Sequence, residues 1–168
     1  MPVQKNHLEA LKKRIRKAFD DVPYPKGGIA PHECDECREV RETFSNRNWK
    51  TISAEVLEEN HGIIPLFSPA AFQYFLPAYL MHSLDNFGEN YDTVCEFTIY
   101  AIAPENKSIK MGLAYWQERF ANFTAEQLSC IYEFLDLVRI DENFANFVKI
   151  AAAGRQNLRE FIEPNLKK

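Results

Sequence analysis

Cys34 and Cys37 stand three residues apart, with His32 two residues ahead of them, in the run His32-Glu33-Cys34-Asp35-Glu36-Cys37. This is the one local feature of the chain whose residue types and spacing suit chemistry. Two cysteines at that spacing share a face if they lie on a helix. A C-x-x-C pair is a common half-site for zinc, whose tetrahedral shell takes thiolate sulfur and imidazole nitrogen. His32, Cys34 and Cys37 would then be three ligands of a structural rather than catalytic site. A fourth would have to come from His61, His82, Cys95, Cys130 or a carboxylate, because no second C-x-x-C or C-x-x-H follows. A redox dithiol is the weaker alternative: Glu33, Asp35 and Glu36 surround the pair, and negative neighbours oppose thiolate formation. The plainer arrangement outranks both. In it Cys34 and Cys37 pack a helix start against the core and His32 makes a loop hydrogen bond.

Other candidates are thinner. His61 and His82 sit singly in or beside apolar segments and read as core or loop histidines; His7 reads as solvated. Tyr115, Trp116, Phe120 and Phe123 recur at helical spacing and read as core. The sequence holds no G-x-S-x-G, Walker loop, dinucleotide fingerprint, H-E-x-x-H or EF-hand loop. The arrangement H-x-E with P-C-x-x-C of zinc deaminases does not fit, since Glu33 both follows His32 and precedes Cys34. No catalytic set is expected, although residues distant in the chain, such as His61, His82 and nearby carboxylates, can meet in a fold.

The elements that would position these residues follow from periodicity. Leu8, Leu11, Ile15, Ala18 and Phe19 predict an amphipathic helix over 4–20, ended by Pro23 and Pro25. A second helix is expected over 33–44 with Cys37, Val40, Arg41 and Phe44 on one side, and a third over 52–59. Ser68-Pro69 is an N-cap followed by proline at the first helical position. It opens an all-round apolar helix to about Asn86 that Pro77 should kink or split. Residues 93–102 favour strand by composition, but no partner strand is in sight, so a helix is expected. Further helices are expected over 111–122, after the Thr124/Gln127 capping box, and from Asp141 to Ile162 as one long element. The expectation is an all-α, single-domain irregular bundle of six to eight helices over residues 1–168.

Composition narrows the function classes. With 20 basic against 24 acidic residues, a net charge of −4 argues against a nucleic-acid binder. Residues 60–84 lack any Lys, Arg, Asp or Glu, yet Pro65, Pro69, Pro77 and several polar residues interrupt the run, so a buried helix is expected rather than a membrane span. Met1 to Asp20 is polar with no apolar segment of a secretory leader, which predicts a cytoplasmic protein with reduced thiols. Cys95 and Cys130 read as buried hydrophobes.

Three segments carry a resemblance. They are Ala18-Phe19-Asp20-Asp21-Val22-Pro23-Tyr24-Pro25; the His32–Cys37 run followed by Trp49; and Leu66-Phe67-Ser68-Pro69-Ala70-Ala71-Phe72 with Tyr74-Phe75-Leu76-Pro77-Ala78-Tyr79-Leu80. Over the first half of the chain they resemble a family of small bacterial proteins defined as a domain of unknown function. That resemblance implies a bacterial, intracellular setting and supplies no reaction; by analogy, small acidic helical proteins include immunity and accessory factors. The functional expectation is a non-enzymatic protein-binding or regulatory factor, with its acidic face around Asp35 to Glu42 steering a basic partner. A zinc-binding protein using His32, Cys34 and Cys37 is the alternative. Oligomeric state is left open.

Overall fold

The apolar stripe of the first segment winds onto one side of α1 (Lys5–Ala18), where Leu11 and Ile15 are fully buried, with Phe19 just beyond it. The same logic builds the rest of this computed structural model, which describes residues 5–88 and 92–166. The other helices are α2 (Asp35–Phe44), α3 (Ala54–Glu59), α4 (Pro69–Asp85), α5 (Thr93–Ile102), α6 (Asn106–Phe120), α7 (Ala125–Ile140) and α8 (Val148–Asn157). Short 3-10 segments span His61–Leu66, Glu142–Phe147 and Glu163–Asn165, and a π turn spans Leu158–Ile162. The protein is all-α, and no strand occurs among the described residues.

α4 is the hub. It is buried nearly all round and touches α1, α3, α5 and α6. Its Phe72 and Phe75 join aromatic neighbours from four other segments: Phe44 and Phe67 pack on Phe75, while Phe120 and Phe123 pack on Phe72. A helix apolar on every face has no solvent side to offer and so occupies the middle of a fold. This accounts for the uncharged stretch 60–84 without a membrane; no helix among the described residues is long and apolar enough to cross one.

Buried polar groups in the hub have partners. Gln73 Nε2 donates to the Asn122 carbonyl (2.8 Å) and to Gln127 Oε1 (2.9 Å), and Gln127 Nε2 donates to the Ala18 carbonyl (2.9 Å). These three bonds tie α4, the start of α7 and the end of α1 together. Arg119 is 3% exposed. Its guanidinium donates to the Ile64 carbonyl (2.6 Å) and lies over the Phe72 ring. Among the described residues no carboxylate pairs with it, and burial pushes its pKa down to about 10.

Three expectations need correction. Pro77 does not split α4, which runs unbroken from Pro69 to Asp85 around a buried proline. The last long helix is a composite: Phe144 leaves helical geometry (φ −104°, ψ 22°), so Asp141 caps only a 3-10 segment, and the chain loosens into a π turn after Asn157. Asn157 is anchored there, donating to the Pro104 carbonyl (2.8 Å) and Asn106 (3.0 Å). Lastly, α6 begins at Asn106, five residues before the expected start, and bends at Gly112; Tyr115 is 46% exposed while Trp116, Phe120 and Phe123 are core.

Candidate functional site

The cysteine cluster sits where a pinned loop feeds α2. Ser68, at the start of α4, donates through its N–H to the Ile29 carbonyl (2.7 Å) and through its hydroxyl to the Gly28 carbonyl (2.8 Å). Gly28 has φ +115°, a region open to glycine and poorly tolerated by other residues. From the other side Arg41 Nη1 donates to the carbonyls of Ala30 (3.0 Å) and His32 (2.8 Å), and Arg41 Nη2 to Glu33 (3.4 Å). The loop over residues 28–33 is therefore held from both ends before the helix starts.

Cys34 is the N-cap of α2, with extended backbone (φ −104°, ψ 164°). Its Sγ folds over the first turn and accepts the N–H of Cys37 at 3.3 Å. Cysteine here takes the place usually held by Ser, Thr, Asp or Asn. Cys34 is exposed and Cys37 is fully buried directly beneath it. The contact with Cys34, followed by burial, raises the Cys37 thiol above its ordinary value, against the opposing pull of the His32 backbone and Arg41. His32 is exposed, and the structure uses its backbone carbonyl. Thus Cys34 and Cys37 meet. Among the described residues no three His, Cys, Asp or Glu side chains gather as a metal-holding group.

The remaining candidates lie elsewhere. Cys95 and Cys130 are buried, and burial pushes their thiols up to about 12 and about 11. His61 Nδ1 donates to the Glu58 carbonyl (2.6 Å), and its ring packs on Phe97. His82 is buried on α4; its Nε2 lies 3.6 Å from Glu58 and 3.8 Å from Asp92 and accepts from the Asn86 amide at 3.3 Å. Asp92 caps α5 through Oδ1, and its Oδ2 has no hydrogen-bond partner among the described residues. His82 also borders an open cleft of about 350 Å³ beside Leu57, Ala78 and Met81. At its rim Lys50 pairs with Asp20, and Asp85 pairs with Lys12. His7 pairs with Glu133 at 2.9 Å.

Sequence reasoning missed Arg41 as the clamp of the loop and Cys34 as a cap. A basic residue one turn or two beyond a loop of free carbonyls is the signal that points to such a clamp. The cap was hidden because Asp35 is the more usual capping residue.

The fold and this loop-capped helix define a small all-α protein with a cysteine pair at one helix start. The chain belongs to a family of unknown function, DUF6714, whose model matches residues 7–161. The likeness therefore reaches well past the first half of the chain. No curated protein and no solved structure matches the chain.

Proposed function

We propose that this protein is a non-enzymatic binding or regulatory factor that docks a basic protein surface on α2. One observation supports this reading. The two basic residues of α2 are already engaged, Arg38 with Asp35 (2.8 Å) and Arg41 with Glu33 and the loop carbonyls. Glu36, Glu39 and Glu42 are left exposed at three-residue intervals, with no ion pair among the described residues. Like charges at that spacing cost a helix roughly 0.2–0.5 kcal/mol per pair. Glu36, in the first turn, complements the helix dipole, but folding alone gives no such reason to keep Glu39 and Glu42. The opposite side of the helix, Cys37, Val40 and Phe44, is locked in the core, so the row is presented on a rigid support. A rigid acidic row speeds encounter with a basic partner and costs little ordering on binding.

The test is capture from the native host with the immobilised wild type and with a Glu36→Lys/Glu39→Lys/Glu42→Lys variant. The expected result is a basic protein retained by the wild type, released as salt rises, and lost with the variant. A partner held equally by both would sink the reading.

A further inference from the structure

We propose that Cys34 and Cys37 form a thiol–disulfide exchange site, reactive toward small disulfides and preferring cationic ones. Geometry carries the proposal. Two cysteines three apart inside a helix have Cβ atoms about 5–6 Å apart, wider than the ~3.8 Å of a disulfide. Cys34 escapes this limit because it is outside the helix: its extended backbone lets Sγ fold over the first turn onto the backbone of Cys37. The pair is also asymmetric in access. Cys34 meets solvent, whereas Cys37 is fully buried. This division suits an attacking and a resolving thiol. The loop above is clamped by Arg41 and Ser68, so Cys34 is held over the first turn from a fixed support.

The exchange balances in two steps. The Cys34 sulfur attacks one sulfur of the incoming disulfide, that S–S bond breaks, and one small thiol leaves with the proton given up by Cys34. The Cys37 sulfur then attacks Cys34 Sγ, the mixed disulfide breaks, and the second small thiol leaves with the proton of Cys37. Two protein thiols are oxidised by two electrons, and one disulfide is reduced to two thiols. The preference for a cationic reagent follows from the surroundings. Asp35 and Glu33 are paired with Arg38 and Arg41, but Glu36 beside the pair is not, and Glu39 and Glu42 extend the same charge. An anionic reagent is repelled and a cationic one concentrated.

The experiment incubates the fully reduced protein with cystamine, the cationic probe, or with glutathione disulfide, the anionic one. Acid quenching, intact mass and peptide mapping follow. The expected product has lost two hydrogens, joins Cys34 to Cys37, keeps no cysteamine, and leaves Cys95 and Cys130 as thiols. Cystamine should react several-fold faster than glutathione disulfide at low salt, the gap closing as salt rises. Cys37→Ser should retain one cysteamine on Cys34. Wild type that keeps cysteamine on Cys34, or that keeps four free thiols, would overturn the proposal even if the variant failed to fold. Equal rates for the two probes at low salt would overturn the cationic preference.

Discussion

Polar residues are used in opposite ways on α2 and beneath α4. On α2 the acids face water, and three of them answer to no cation among the described residues. Beneath α4 the polar atoms are enclosed and nearly all answered, by backbone carbonyls or by each other: Gln73 with Gln127 and the Asn122 carbonyl, Arg119 with the Ile64 carbonyl. A buried polar group left without its partner costs about 1–3 kcal/mol, so the interior tolerates such groups only where they pin segments together. A solvated charge carries no such penalty and is free to serve something outside the molecule. The contrast separates residues kept for the fold from residues available for a partner.

The contrast breaks most readily at Arg119. Arg119→Ala removes the donor to the Ile64 carbonyl and the cation over Phe72, and leaves a void between α6 and α4. We expect a loss of about 4 kcal/mol in urea denaturation, and a smaller loss for Arg119→Met, which refills the apolar part of the space. A cost under about 1 kcal/mol for the alanine variant would show that the interior polar groups are not pins.

Gly154 tests the same interior by volume. A Cβ there would fall 2.4 Å from Ala103 Cβ and 2.5 Å from Ala103 Cα, so α8 and the end of α5 would have to part. Alanine otherwise favours a helix over glycine by about 1 kcal/mol. The backbone clash should outweigh that and give a net loss of about 2 kcal/mol, read as a lowered melting temperature. A stabilised Gly154→Ala variant would mean that this contact is looser than the distances state.

The buried thiols supply a pH test with a defined sign. Cys95 is pushed up to about 12 and Cys130 to about 11, while unfolded thiols titrate near 9.0. Between those values the folded state holds protons that the unfolded state has released. Their contribution to stability is complete below about pH 9 and is lost as pH rises toward the folded values. Urea midpoints should fall over that window, and Cys95→Ala should flatten the fall. An unchanged slope would assign the alkaline loss to other groups.

How much of this was readable beforehand differs between the two regions. The start of α4 was legible because Ser68-Pro69 combines a capping hydroxyl with a proline that loses nothing at that place. The start of α7 was legible because Thr124 and Gln127 satisfy each other's backbone N–H within three residues. Both signals are local. The Arg119 pin was not legible, since its partner lies 55 positions away and a lone arginine in an amphipathic pattern reads as solvated. The early half of α6 was missed for a related reason. Glu105 makes no capping bond, and exposed Met111 and Leu113 leave Ile109 as that half's one buried residue. At the cysteine pair, the spacing was legible and the asymmetry was not, because burial of Cys37 under an exposed Cys34 depends on where the helix begins.

The smallest effect expected is the most telling about α2. Glu39→Gln removes the middle charge of the row Glu36, Glu39, Glu42, and so relieves two like-charge contacts at once, each of roughly 0.2–0.5 kcal/mol. Glu39 is exposed and enters no ion pair among the described residues, so nothing is forfeited in return. The variant should be more stable than the wild type by about 0.5 kcal/mol, with the gain shrinking as salt screens the row. A stabilising substitution this simple points to a charge held for recognition. If Glu39→Gln were instead destabilising by a similar amount, the glutamate would have a structural partner, and α2 would belong with α4 as part of the scaffold.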